Sequence, residues 1–238
     1  MERKIIFSTD EFYHIYNRGT EKRKIFQDIS DYQRFLKLLY LLNNTEAVDV
    51  REVSEGLPFG EVFNLPRGDQ LIDVGAYCPM PNHFHLLVRE KTGKGVSAFM
   101  LKLLTGYSMY FNKKYDRTGQ LFEGTFKAKH LDDDNYLKYN FAYSHLNPIK
   151  LIDSDWKEKG ISDLATAKEF LANYKYSSYL DYLGVDRPEG RILNKEAFPE
   201  YFQNPKEFED FIDDWLNYQD LEEFPKGYPS GTGNLSGK

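Results

Sequence analysis

The strongest constraint in the chain is the order in which two hydrophobic periods alternate. A period of two marks a strand and a period near 3.6 marks a helix. "FYHIYNRG" at 12–19 reads as a strand closing in a turn at Asn17-Arg18-Gly19. "SDYQRFLKLLYLLNN" at 30–44 has a Ser or Asp cap and apolar residues at 35, 38, 39 and 42, which is helical spacing. "LIDVGAYCPM" and "HFHLLVRE" read as two strands joined tightly through Pro79-Met80-Pro81-Asn82. A long amphipathic helix follows at 95–116, then a strand, "GTFKAKHL", at 124–131. The segment 132–148 has acids in its first turn and a proline stop, which marks a last helix. Strand, helix, strand, strand, helix, strand is the ferredoxin-like βαββαβ arrangement, an α+β antiparallel sheet, here with one extra helix.

Two regions fall outside that order. Residues 45–70 carry Gly56, Pro58, Gly60, Pro66 and Gly68 and read as an inserted long loop or weak hairpin. Beyond residue 150 the pattern is mainly helical, in "SDLATAKEFLANY", "NKEAFPEYF" and "NPKEFEDFIDDWLNYQ". The division expected is a domain at 1–152, a helical extension at 153–228 and a Gly/Ser-rich, disordered tail at 229–238. No apolar run approaches the roughly 18 residues of a membrane span, and the N-terminus lacks the apolar segment of a signal peptide. A single cysteine, Cys78, excludes an internal disulfide and a cysteine-cluster zinc site. The expectation is a cytoplasmic protein.

The net charge of −6 argues against a polyanionic partner only until its distribution is read. Residues 89–150 carry 11 Lys and Arg against 6 Asp and Glu, whereas residues 151–238 carry 10 against 18. Lys102, Lys113, Lys114, Arg117, Lys127, Lys129 and Lys138 make the middle basic, with Tyr107, Tyr110, Phe111 and Tyr115 between them. A solvated helix face accounts for such a run; backbone contacts with base stacking to a single strand account for it equally. Arg18, in the turn after the first strand, could grip a phosphate. Glu123 could be structural or could orient a histidine.

Chemistry enters at "PNHFHLLV", 81–88. Alternation on a strand puts His83 and His85 on one face, about 7 Å apart, where two imidazoles can converge on one cation. Taken alone, the pair also suits an ordinary half-buried strand. His14, His130 and His145 have no partner at metal-ligand spacing, and His145 reads as structural. On the last helix Tyr136, Tyr139, Tyr143 and Asn147 fall three and four residues apart and share a face. Tyr136 and Tyr139 suit packing on the sheet. Asn147 does not, because a carboxamide ending an apolar stripe needs a partner; its oxygen could be a third ligand beside His83 and His85. Tyr143, one turn before it, then holds its hydroxyl near the same ion. A tyrosine hydroxyl can act as covalent nucleophile toward a phosphoryl group polarised by a cation. Mixed nitrogen and oxygen ligation tolerates Mn²⁺, and Mg²⁺ keeps several waters in such a site.

"YHIYNRG", "CPMPNHFHLLV", "GQLFEGTFKA" and "YSHLNPIK", in this order and spacing, resemble the REP-associated tyrosine transposases, a family in the single-tyrosine branch of the HUH (His-hydrophobic-His) endonucleases. The resemblance covers roughly residues 10–152. It implies a metal-dependent (Mg²⁺ or Mn²⁺) nuclease and strand transferase that cuts single-stranded DNA at hairpin-flanked sites, as a monomer or homodimer. His83 and His85 match the family's metal pair, Tyr143 its nucleophile and Asn147 its helix-borne ligand. The implied product is a 5′-phosphotyrosine link with a 3′-hydroxyl. Arg18, Lys102, Lys113, Lys114, Arg117, Lys127 and Lys129 are the DNA-binding candidates. The 45–70 insertion and the acidic extension depart from the family pattern and touch none of these active-site positions. A second reading is a single-stranded nucleic-acid-binding module like an RRM, without catalysis; the lack of an aromatic run on a central strand counts against it. A small-molecule phosphodiesterase needs more carboxylate or histidine ligands than the sequence offers.

Overall fold

A computed structural model describes residues 5–217; the expected tail at 229–238 and the end of the extension lie outside the described residues. The strands are β1 (Phe12–Arg18), β2 (Ile72–Met80), β3 (His83–Glu90) and β4 (Lys127–His130). They form one antiparallel sheet in the order β2-β3-β1-β4, which is the ferredoxin-like order. The helices of this unit are α1 (Ile29–Leu41), α2 (Val50–Ser54), α3 (Gly95–Lys114) and α4 (Asp134–Leu146).

The period-two pattern sorts the sheet into two faces. Tyr13, Ile15, Phe84, Leu86 and Val88 point to one side and meet Phe35, Leu39, Phe99 and Leu103 of α1 and α3. Each such apolar side chain stabilises the fold by about 1.5–3 kcal/mol when fully removed from water. The second face carries His14, Tyr16 and Arg18 of β1 and His83, His85 and Leu87 of β3. Across it lies α4, where Phe141, Ala142 and Leu146 pack with Ala76 and Leu87. The α1 N-terminus is closed by a capping box, with Asp28 and Asp31 exchanging side-chain and backbone bonds.

The inserted segment forms no hairpin. It folds into α2 and a 3-10 turn at Gly60–Asn64, and Val50, Val62 and Phe63 reach into the α1/α3 core. Its apolar residues are too scattered to supply a period-two run, so anchoring replaces pairing.

After α5 (Trp156–Lys159), the extension forms α6 (Leu164–Asn173), α7 (Tyr179–Tyr182) and α8 (Pro205–Asn217). The helix expected over 194–202 is reduced to a 3-10 turn at Lys195–Ala197, because Pro199 cannot continue it. The extension shares a core with α4: Tyr179, Tyr182, Phe198, Phe208 and Ile212 join Phe141 in one buried cluster, with Tyr182 and Phe198 edge-on to its ring. It also covers the outer edge of β2. Ser178 N–H donates to the Tyr77 carbonyl at 3.0 Å, Tyr77 N–H donates to Ser178 Oγ at 3.0 Å, and Asn194 N–H donates to the Val74 carbonyl at 2.9 Å. The Tyr174 and Tyr182 hydroxyls donate to the carbonyls of Pro79 and Gly75, each at 2.7 Å. An exposed edge is a template for aggregation, and this one is occupied. At Gly75, beside an irregularity in the β2–β3 register, a Cβ would lie 2.6 Å from the Phe198 ring.

Candidate active site

Antiparallel pairing places residues directly opposite one another on the same face. Arg18 stands opposite His83, Tyr16 opposite both His85 and Lys127, and His14 opposite Lys129. The tip of the β2–β3 hairpin is pinned by the loop before α1: Ile25 and Phe26 N–H donate to the Pro81 carbonyl at 2.8 and 3.0 Å. The start of β3, which carries the histidines, is therefore fixed in place.

The rings of His83 and His85 stand edge to face with centroids 4.9 Å apart. His83 Nδ1–H donates to Asn82 Oδ1 at 2.6 Å, which leaves the Nε2 lone pair as the ligating position. Burial pulls the His83 imidazole down to about 3, with Lys150 and Arg18 adding to the effect, so it is neutral at physiological pH. A neutral imidazole is the form that binds a metal. His85 is 5% exposed, and its Nδ1 lies 2.8 Å from His14 Nε2, with the two ring planes only 16° apart.

From α4, the Tyr143 ring reaches the same place. Its centroid is 5.2 Å from that of His85 and 5.8 Å from that of His14. Burial pushes the Tyr143 hydroxyl up to about 12, while the Asn147 carboxamide beside it pulls the other way. Asn147 opens a 3-10 turn, Asn147–Leu151, and is fully buried, with neither amide atom in a hydrogen bond of ordinary geometry. Tyr139 stacks on Tyr143 at 5.8 Å but its other neighbour is Trp215 of α8, and Tyr136 sits beneath the Lys129 ammonium at 4.7 Å.

Among the described residues no three His, Cys, Asp or Glu side chains are placed to hold a metal ion. An ion here depends on two imidazoles and an amide oxygen. The residues suit that role: both Nδ1 atoms are engaged and a buried carboxamide stands beside Tyr143.

The basic candidates divide by side. Arg18, Lys127 and Lys129 belong to the histidine face. Arg18 is paired with Glu123, so the acid meets the arginine. Lys102, Lys113 and Lys114 line a groove of about 1210 Å³ among α1, α2 and α3, on the far side of the sheet. Lys102 Nζ donates to the carbonyls of Asn44 and Glu46 at 2.6 and 2.7 Å, and Lys114 Nζ pairs with Asp28 and Asp31 at 2.7 and 2.8 Å. Arg117 Nη1 donates to Asn112 Oδ1 at 3.1 Å. Two residues were missed by spacing. His14, read as having no partner, touches His85. Lys150 stands near enough to His83 to shift it, one 3-10 turn after Asn147. His145 is structural as expected: Nδ1–H donates to the Phe141 carbonyl and Nε2 accepts from Ser178 Oγ, each at 2.8 Å.

Residues 60–143 match the model of the family described as Transposase IS200 like. Over those residues the chain is similar to the IS200-like transposases. The stretch contains His83, His85 and, as its last residue, Tyr143; the resemblance read from the sequence is borne out. Among solved structures, one described as the REP-associated tyrosine transposase bound to a REP hairpin matches with a TM-score of 0.46 at 10% identity, covering 79% of this chain and 90% of that one. No curated protein matches by sequence.

Proposed function

We propose that the protein is a metal-dependent single-stranded DNA endonuclease and strand transferase that acts at hairpin-flanked sites through a 5′-phosphotyrosine on Tyr143. The observation that carries this reading is the meeting of Tyr143 with His85 from an element distant in sequence, in a segment that matches the IS200-like transposases. The Tyr143 hydroxyl gives up its proton as its oxygen bonds to the scissile phosphorus, the bond from phosphorus to the 3′-oxygen breaks, and the departing oxygen takes a proton to become a 3′-hydroxyl. One phosphodiester replaces another, so a second 3′-hydroxyl can reverse the step and join strands without ATP.

His83, His85 and the Asn147 carboxamide would hold Mg²⁺ or Mn²⁺, which supplies neutralisation of charge on the phosphate. Asn82 keeps the His83 ring oriented. Burial keeps the Tyr143 hydroxyl protonated until substrate arrives. Lys150 beside His83 would add positive charge at the phosphate, whereas the charge of Arg18 is shared with Glu123. A base-stacking module like an RRM needs an open sheet face, and α4 packs over β2 and β3 on the face that α1 and α3 leave.

The test is covalent capture. The wild-type protein, incubated with a labelled single-stranded hairpin and Mn²⁺, should give a protein–DNA band that survives denaturation. His83→Ala combined with His85→Ala should abolish it while circular dichroism stays unchanged. An undiminished band from the double variant removes the metal-site reading.

A further inference from the structure

His14 is 71 residues from His85 in sequence and 2% exposed, yet its Nε2 lies 2.8 Å from His85 Nδ1. Two nitrogens at that distance share one proton between facing lone pairs, so they cannot both bind the same ion. The proton can belong to either ring. If His14 donated it, neutral His85 would carry its own proton on Nε2 and present an N–H where a ligand is needed. If His85 donates it, Nε2 keeps its lone pair.

We propose that His14 is a positioning residue that accepts the Nδ1–H of His85 and thereby holds His85 Nε2 in the metal-ligating form. This rests on the metal site proposed above. The arrangement repeats what Asn82 does for His83, where an amide oxygen can only accept and the tautomer is settled by chemistry. At His85 the acceptor is a second imidazole, lying nearly in the plane of the first with the planes 16° apart, and it is flanked by the Tyr16 ring at 5.1 Å and by Tyr143 edge-on at 5.8 Å. A core histidine there only to fill space would serve in either tautomer; a positioning residue serves in one.

Two measurements decide it. In metal-free protein labelled with ¹⁵N-histidine, the ring spectra should show His85 protonated on Nδ1; protonation on Nε2 with Nδ1 accepting overturns the proposal. Mn²⁺ affinity, read by electron paramagnetic resonance without DNA, should fall about 10–100-fold in His14→Leu and recover substantially in His14→Gln, whose amide oxygen can accept the same proton. Wild-type affinity in His14→Leu, with affinity lost in His85→Ala, overturns the role of His14 and leaves the metal site standing. Wild-type affinity in His85→Ala overturns the site itself, and this inference with it. The wild-type spectrum fixes the tautomer even where a variant fails to fold.

Discussion

The Tyr143 ring stands edge-on to the His85 imidazole, with centroids 5.2 Å apart and planes crossing at 87°. Tyr139, one turn earlier on α4, stacks on Tyr143 and turns its other side to Trp215. Shared helical face therefore does not mean shared chemistry. Tyr143→Phe removes one oxygen and keeps the ring, so the fold should persist while the covalent protein–DNA band disappears. Tyr139→Phe should retain the band. A denaturing gel of both variants with a labelled hairpin checks this, and a band lost only in Tyr139→Phe would reassign the nucleophile.

A second outcome concerns acid. Burial pulls His145 down to about 3, against 6.5 for the unperturbed group. Below pH 6.5 the unfolded chain takes up a proton that folded His145 refuses, so stability declines as pH falls from about 6.5 toward 3. The full contribution is present above 6.5. The slope is on the order of 1.4 kcal/mol per pH unit for each such histidine. His83 works in the same direction and window. His145→Gln should lower the urea midpoint at pH 7 but flatten its decline between pH 6 and 4. A variant as steep as the wild type would show that His145 is not neutral in the fold.

Gly75 tests whether the extension is part of the sheet. A Cβ there would lie 2.6 Å from the Phe198 ring, and Phe198 packs on Phe12 and Phe141 as well. Gly75→Ala should cost about 1–3 kcal/mol, the usual range for overpacking. Adding Phe198→Leu, which makes room, should return part of it in a double-mutant cycle by urea denaturation. Additive costs would mean the two residues do not press on each other.

These residues also show where sequence reading stopped. That His83 and His85 share a strand face was legible because strand alternation is local, and that Tyr143 and Asn147 share a helical face because helical periodicity is local too. His14 was not, because strand periodicity says which residues share a face but not which strands are neighbours or in what register. The same limit hid the extension: Ser178 N–H, bonded to the Tyr77 carbonyl 101 positions away, gives no periodic signal. The 194–202 helix failed at Pro199, where a local apolar pattern outweighed a breaker that should have ruled. Charge was legible as a total for the middle segment but not as a direction. Sequence placed Lys102, Lys114 and Lys129 in one basic run, and the sheet puts them on opposite sides.

That division of charge makes the last prediction. Lys127 and Lys129 stand opposite Tyr16 and His14 on the histidine face. Lys102, on α3 across the sheet from the histidines, has its ammonium held by two carbonyls. If single-stranded DNA lies along the histidine face, each lysine that neutralises a phosphate releases counterions, and the slope of log affinity against log salt is about −0.7 per contact. Lys127→Ala and Lys129→Ala should each weaken hairpin binding and make that slope shallower by about 0.7. Lys102→Ala should leave the slope alone, since its charge is engaged on the far side of the sheet. Fluorescence anisotropy of a labelled hairpin across a salt series, with Mg²⁺ held constant, reads all three. A slope that changes in Lys102→Ala and not in Lys127→Ala or Lys129→Ala would move the DNA to the groove behind α3, away from Tyr143, and would separate binding from the proposed chemistry.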